Sequence, residues 1–136
     1  MRIMLGTLCT AALVLTGCAT TSTTSTTSTV TAPPPAPAKP RGGVLASASG
    51  MTLYTFDKDT AGSGKSVCNG TCATNWPPMY AAPGAKGGGD WSVITRDDGK
   101  PQWAWKGKPL YFWSKDQKAG DRTGDGLNNV WHAAQP

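Results

Sequence analysis

Cys68 and Cys72 are the first candidates for chemistry, because only Asn69-Gly70-Thr71 separates them. A glycine tolerates positive φ, so the loop can turn back and bring the two thiols together. Close cysteines in an oxidising compartment usually form a disulfide. In the chain-entropy model, a disulfide that closes so small a loop stabilises the folded state by about 2 kcal/mol. The C-x-x-x-C spacing differs from the C-x-x-C of thioredoxin-like sites. We therefore expect a structural disulfide, with a redox pair as the alternative.

A soft metal site is a further alternative for the same cysteines. Met51, Met79 and His132 would complete a set of sulfur and imidazole ligands that favours copper. Their spacing matches no metal motif, and the C-x-x-C-H sequence for covalent haem is absent. We expect no cofactor and no metal, and retain a periplasmic redox or copper-handling protein as the alternative function.

Acid–base groups are few, since the chain has eight Asp, no Glu and one His. Asp57 begins a segment like a calcium loop, but its fifth position is Ala61 and its twelfth is Cys68, where a bidentate Glu is expected. No G-x-S-x-G elbow accompanies His132. We expect the aspartates to shape turns and His132 to be structural, and we predict no enzymatic activity.

Two tryptophans on one predicted strand are the candidate binding face. Trp103 and Trp105 are two residues apart and therefore share a side of that strand. Core packing is the default for such a row. If the rings are exposed, they would form a platform for sugar rings or for a partner protein.

The elements that would position these residues come in two copies. Tyr54-Thr-Phe56-Asp-Lys-Asp59 and Tyr111-Phe-Trp113-Ser-Lys-Asp116 both read Y-x-(F/W/Y)-x-x-D, and Trp76 has a counterpart in Trp131. The alternating aromatic residues predict strands. We expect half-buried tyrosines with bonded hydroxyls, and Asp59 and Asp116 bonded to loop amides.

Each copy predicts a hairpin, with strands at 44–48 and 102–106 followed by a glycine and by the motif strand. Residues 91–95 before Asp98-Gly99 add a further strand and a strong turn signal. No stretch shows a convincing helical period. A lone hairpin is marginal in water, so we expect the copies to share one core around a pseudo-twofold axis.

The predicted fold class is therefore mostly β, with a disordered N-terminal stalk. One small antiparallel β domain occupies residues 44–136 and contains two hairpin-containing repeats, at about 44–80 and 101–134. Residues 18–43 form a linker, Ser/Thr-rich and then Pro-rich, which holds no apolar surface to bury.

Residues 1–17 have the charge and the short apolar run of a signal peptide. They end in Leu15-Thr16-Gly17 before Cys18, which resembles the bacterial lipobox. That resemblance implies cleavage before Cys18, lipidation of its thiol by acyl chains such as palmitate, and stable membrane anchoring. Because Ala19 rather than Asp follows, it also implies an outer membrane, facing the periplasm, in a host with two membranes.

The net charge of +5 is uneven, because ten Lys/Arg oppose eight Asp from Val44 onward. A net +2 without a basic cluster argues against a nucleic-acid partner. The remaining candidate partners are the membrane, a cell-wall polymer or an envelope protein.

The paired motif, together with Cys68-Asn-Gly70-Thr-Cys72 and Trp76-Pro77-Pro78, resembles predicted bacterial lipoproteins described as a secreted repeat of unknown function. The second copy departs from this pattern, since it has no cysteines. The resemblance implies a location in the cell envelope and a repeat architecture, and it brings no catalytic residue. We therefore expect a membrane-anchored envelope lipoprotein that serves as a non-catalytic binding or structural module.

Overall fold

The computed structural model describes residues 36–136. The predicted signal peptide, the lipidation site Cys18 and the Ser/Thr-rich tract lie outside the described residues. Within residues 36–136, no helix is long and apolar enough to cross a membrane.

The described part of the chain is built from short antiparallel strands, which confirms the predicted fold class. The elements are β1 (Ala38–Arg41), β2 (Val44–Ser47), β3 (Tyr54–Phe56), α1 (Thr71–Asn75), β4 (Trp91–Thr95), β5 (Pro101–Trp105), β6 (Lys108–Pro109) and β7 (Trp131–Ala133), with a 3-10 turn at Leu127–Asn129. β1 pairs with β2, β3 pairs with β7, and β4, β5 and β6 form a three-stranded sheet.

The predicted linker boundary at residue 43 is wrong, because β1 already pairs with β2 from Ala38. Gly42 and Gly43, with φ of 58° and 84°, make the two-residue turn between these strands. Pro40 lies opposite Leu45 on an edge strand, where a missing N–H disturbs no ladder. The proline-rich composition therefore concealed a strand that tolerates proline.

The helix α1 is a second difference, since the sequence predicts none. It has five residues and follows Gly70, whose φ is 57°. A single turn is too short to show a helical period.

The two copies exchange strands, and their own hairpins are correspondingly short. β2 meets the start of the next strand only at Ala46 and Thr52, and then β3 leaves to pair with β7 of the other copy. The second copy mirrors this arrangement, because Met79 N–H donates to the Leu110 carbonyl at 2.9 Å.

The pseudo-twofold axis passes between the two motif tyrosines. Tyr54 N–H donates to the Tyr111 carbonyl at 2.8 Å, and Tyr111 N–H donates to the Tyr54 carbonyl at 2.9 Å. The expected pseudo-twofold arrangement is present, and the final segment of each copy completes the other.

Alternation along the central strands divides the core into two layers. Tyr54 and Tyr111 point to one side, while Leu53 and Leu110 point to the other. The first layer contains Val44, Tyr54, Phe56, Cys68, Trp76, Tyr111, Trp131 and Ala133. The second contains Ala38, Leu45, Leu53, Met79, Leu110 and Ala134.

Candidate functional site

The motif tyrosines bond to the aspartates of the opposite copies. Tyr54 Oη donates to Asp116 Oδ2 at 2.6 Å, and Tyr111 Oη donates to Asp59 Oδ2 at 2.5 Å. Both tyrosines are 0% exposed, so the expectation of half-buried rings is wrong, although the hydroxyls are bonded as expected. Full burial follows from the position of both rings on the pseudo-twofold axis.

The second oxygen of each aspartate holds a loop. Asp59 Oδ1 accepts the Val67 N–H at 2.7 Å, and Asp116 Oδ1 accepts the Thr123 N–H at 3.0 Å and the Thr123 hydroxyl at 2.6 Å. The two motif aspartates thus bond loop amides as predicted, and each also links the two copies.

Burial shifts the pKa values of the two motif tyrosines and of Asp59. Desolvation raises the pKa of Tyr54 and of Tyr111 well above the ordinary phenol value, and the hydrogen bonds to Asp116 and Asp59 add to the increase. Burial also raises the pKa of Asp59, against the opposing effect of the hydrogen bonds from Tyr111 and Val67. The cluster is therefore built to keep both phenols protonated.

Arg96 is a buried residue that sequence reasoning missed. Its side chain is 3% exposed. Nη1 donates to Gln102 Oε1 at 2.7 Å, and Nη2 donates to the Cys68 carbonyl at 2.5 Å and to Asn69 Oδ1 at 3.0 Å. In the sequence Arg96 precedes Asp97-Asp98-Gly99, so the only visible signal was a turn.

A chain of hydrogen bonds runs from Arg96 to Asp59. Arg96 Nη1 donates to Ser66 Oγ at 3.0 Å, and Ser66 Oγ lies 2.6 Å from Tyr111 Oη. Because Tyr111 gives its proton to Asp59, Ser66 must donate to Tyr111. A buried cation and a buried carboxylate are thus joined through two hydroxyls. Within residues 36–136, Arg96 Nε is the one buried side-chain nitrogen or oxygen of the described chain that has no hydrogen-bond partner.

Cys68 and Cys72 form a disulfide with Cα atoms 5.2 Å apart. Cys68 is fully buried, and its carbonyl is one of the acceptors of Arg96. This confirms the predicted bridge and places it at the end of the buried network. In the second copy Gly124 takes the corresponding place beside Trp76 and Trp113.

The structure does not bring the proposed soft metal ligands together. Met79 lies in the second core layer and Cys68 in the first. The His132 side chain is 46% exposed, and its Nε2 lies 2.9 Å from Asp57 Oδ2. Among residues 36–136, no three His, Cys, Asp or Glu side chains form a group suited to a metal ion.

Four aromatic rings form a stacked column in the first core layer. Ring centroids are 4.2 Å apart for Phe56 and Trp131, 3.8 Å for Trp131 and Trp76, and 4.1 Å for Trp76 and Trp113. The pseudo-twofold axis exchanges the two halves of the column. These four rings pack the core. The candidates for a binding face are therefore the remaining tryptophans.

Trp91, Trp103 and Trp105 form what we call the aromatic face, on one side of strands β4 and β5. Trp91 lies directly opposite Trp105. Ring centroids are 4.7 Å apart for that pair and 6.1 Å for Trp91 and Trp103. All three rings are half-buried against the second core layer. Each ring therefore packs against the core on one side and exposes part of its surface to solvent.

The aromatic face has a structural counterpart in the first copy. Leu53 N–H donates to the Leu45 carbonyl just as Leu110 N–H donates to the Trp103 carbonyl, both at 3.0 Å. The pair Ala38 and Ser47 then corresponds to Trp91 and Trp105 in the two strand registers. Ala38, Leu45 and Ser47 thus occupy the places of the three tryptophans, so the fold itself does not require large rings there.

Comparison with known protein families supports the repeat assignment. The model of a secreted repeat of unknown function matches residues 38–79 and 92–135. The first match begins where β1 begins, and the two matches cover the two strand-exchanging copies. No curated protein and no solved structure matches the chain. The resemblance seen in the sequence is confirmed: the chain belongs to the family of secreted repeats of unknown function.

Proposed function

We propose that this protein is a lipid-anchored, non-catalytic module of the bacterial cell envelope, and that its aromatic face binds a glycan strand of the cell wall. The secreted-repeat family supports an extracellular or envelope location. The lipobox-like sequence before Cys18 supports an anchor in the membrane.

The observation that carries the binding role is the asymmetry between the two copies. The same backbone hairpin carries Ala38, Leu45 and Ser47 in one copy and three tryptophans in the other. A tryptophan that is only half-buried leaves apolar ring surface in water, whereas a small residue does not. The face of a tryptophan ring suits the apolar face of a sugar ring, whereas the indole N–H of Trp105 is already bonded to the Gln135 carbonyl at 2.9 Å.

Basic side chains beside the rings extend the face toward acidic sugars. Lys106 Nζ lies 5.2 Å from the centroid of the Trp105 ring. Lys108 lies opposite Trp105 in the strand register, and its Nζ is 4.0 Å from Asp57 Oδ1. Lys106 Nζ also donates to the Pro136 carbonyl at 2.9 Å, so both ammonium groups already have an acceptor on the protein, which a glycan carboxylate would share.

The polar clusters support a non-catalytic role. The carboxylates of Asp59 and Asp116 bond tyrosine hydroxyls and loop amides. The His132–Asp57 pair lies on the exposed outside of β7 and β3. Each of these acid–base groups thus has a structural partner that accounts for its position.

The decisive experiment gives the aromatic face the residues of its counterpart. The variant Trp91→Ala, Trp103→Leu, Trp105→Ser carries side chains that this same backbone already supports in the first copy. We expect the full chain to sediment with isolated peptidoglycan and the variant to lose at least tenfold in affinity, since stacked aromatic contacts carry such binding.

Trp113→Phe is the matched control, because Phe56 is the counterpart of Trp113 in the aromatic column. This variant also removes an indole, yet it should keep full affinity for peptidoglycan. If the triple variant remains folded, judged by its melting temperature, and still sediments like the unaltered chain, the aromatic face is not the binding site.

The anchor has its own test. The unaltered chain should fractionate with membranes, and mass spectrometry should find acyl chains on the N-terminal peptide that begins at Cys18. Cys18→Ser removes the acceptor thiol, so that variant should keep an uncleaved leader. An unmodified Cys18 in the mature chain would refute the anchor and leave the glycan test unaffected.

A further inference from the structure

The β1–β2 hairpin borders a groove of about 430 Å³ that the aromatic face does not include. Residues 36–41 and 46–48 line it. The lining side chains are small except for Lys39 and Arg41, both of which are exposed. Within this lining, Lys39 and Arg41 are the charged residues, and both are positive.

A loop of the second copy brings further cations to the same place. Gly120 N–H donates to the Gly50 carbonyl at 3.2 Å, and the Arg122 guanidinium donates to the Gly42 carbonyl. The Arg41 guanidinium lies against Gly50, where Ala119 also makes contact. Lys118 precedes Ala119 and is exposed. Arg41 and Arg122 are thus brought together from the two copies, and with the exposed neighbours Lys39 and Lys118 we call them the basic cluster.

The loop also contains one acidic residue, Asp121, whose pKa is lowered by hydrogen bonds from the Gln117 and Lys118 amides and by the positive charge of Lys118. Both hydrogen bonds of Asp121 Oδ2 stay within its own loop, from the Gln117 N–H at 2.8 Å and the Lys118 N–H at 3.0 Å. These bonds orient the carboxylate toward its own backbone. Four cations against this one carboxylate still leave a net positive charge, which an anion with several negative oxygens would fit.

The groove lies close in sequence to the proposed lipid anchor at Cys18, and this position indicates which anion it would bind. β1 begins about twenty residues after Cys18, and a chain of twenty residues spans at most about 70 Å even when fully extended. A site on so short a tether experiences the membrane surface at an effective concentration in the millimolar range. Anionic headgroups attract basic clusters close to that surface.

We propose that the basic cluster binds the phosphates of anionic phospholipids and so docks the domain on the membrane that holds its anchor. This inference rests on the proposed lipidation of Cys18, but not on glycan binding. Docking by β1 and by the loop at residues 117–122 would leave the β4–β5 sheet to carry the aromatic face.

Hydrogen exchange on the lipidated full chain tests the inference. The protein is reconstituted into vesicles of phosphatidylcholine alone, or of phosphatidylcholine mixed with phosphatidylglycerol. We expect amides of residues 38–47 to exchange several-fold more slowly in the mixed vesicles, because bound headgroups oppose opening of the edge strand. Added salt should abolish the difference, since it screens the phosphates.

The variant Lys39→Gln, Lys118→Gln should lose this protection, whereas Lys65→Gln, Lys86→Gln, with the same change in net charge, should keep it. All four lysines are exposed, so unchanged melting temperatures are expected. Equal exchange in both kinds of vesicle would overturn the proposal. So would protection that appears only when soluble teichoic acid is added, because the ligand would then be a wall polymer. Neither result bears on the peptidoglycan assay.

Discussion

At the scale of single residues, each motif tyrosine bonds the aspartate of the opposite copy, but the two hydroxyls differ in their further hydrogen-bond partners. Tyr111 Oη bonds Asp59 and also receives the Ser66 hydroxyl, behind which lies Arg96. Beyond Asp116, Tyr54 Oη meets only the Gly124 N–H, at 3.4 Å. The first aspartate is therefore linked to a buried cation, and the second is not.

This asymmetry predicts unequal costs for two identical substitutions. Tyr111→Phe leaves Asp59 Oδ2 without its donor and the Ser66 hydroxyl proton without its acceptor, so it should lower the free energy of unfolding by about 3 kcal/mol. Tyr54→Phe removes one strong bond and should cost closer to 1.5 kcal/mol. Urea denaturation measures both. Equal costs would mean that the chain to Arg96 contributes nothing to stability.

Alkaline pH should unfold the protein through the same two residues. The pKa of both buried tyrosines lies above the ordinary value, while in the unfolded chain they ionise near pH 10. Above that pH the folded protein holds protons that the unfolded chain has released, so stability falls as pH rises. Calorimetry from neutral to strongly alkaline pH should show a falling melting temperature. Tyr54→Phe should flatten this decline, and an identical decline in that variant would contradict the assignment.

The sequence showed which residues matter here but not which partners they have. The Y-x-(F/W/Y)-x-x-D spacing places Tyr54 and Asp59 in one copy, and only the folded chain shows that each bonds across the axis. Local spacing carries no information on such an exchange. Arg96 left no pattern at all, since one arginine beside a turn is normally exposed.

At the scale of elements, the two loops that follow the motif strands reach the same core by different means. The first loop is closed by the Cys68–Cys72 disulfide. The second relies on Gly124, where an added Cβ would lie 2.6 Å from a ring carbon of Trp76. The absence of a side chain in one copy thus corresponds to a covalent bridge in the other.

Gly124→Ala should therefore destabilise the fold although its backbone does not need a glycine. The added methyl group must displace the Trp76 and Trp113 rings, and overpacking of this kind costs about 1–3 kcal/mol. Gly88→Ala is the matched control, because nothing lies within 4 Å of its added Cβ. Thermal unfolding compares the two. If Gly124→Ala keeps the melting temperature of the unaltered chain, the rings of the aromatic column can move to admit the methyl group without measurable cost.

Strand positions were predictable wherever aromatic or branched residues alternate, as in β4 and β5. Prediction failed for β1, β7 and α1. β7 has three residues, too few for an alternating pattern to show. β1 lies in a proline-rich segment whose composition favours an extended coil, yet pairing with β2 orders it. α1 is stabilised locally beside the disulfide, and five residues are too few for periodicity to show.

At the scale of the whole molecule, strand exchange makes each copy incomplete without the other. β3 of the first copy has its partner β7 in the second, and Leu110 of the second bonds Met79 of the first. The pseudo-twofold arrangement was predictable from the duplicated motif. The exchange was not, because a packed pair of hairpins has the same sequence pattern.

Separated copies should consequently fail to fold. The fragments 36–90 and 91–136 should each give the circular dichroism spectrum of a disordered chain, since isolated short strands are marginal in water. An equimolar mixture should recover the β spectrum and a cooperative melting transition. A fragment that melts cooperatively alone would show that the exchange is dispensable.

The two copies also record how such a chain can acquire a function. A single copy could complete itself only by pairing with an identical chain, and in a symmetric pair every substitution appears twice. Fusion of two copies into one polypeptide ends that constraint. A cysteine bridge can then arise in one half and a row of indoles in the other, without a duplicate elsewhere. The cell-envelope chemistry of this protein would thus have evolved after the fusion, on a scaffold whose stability was already shared.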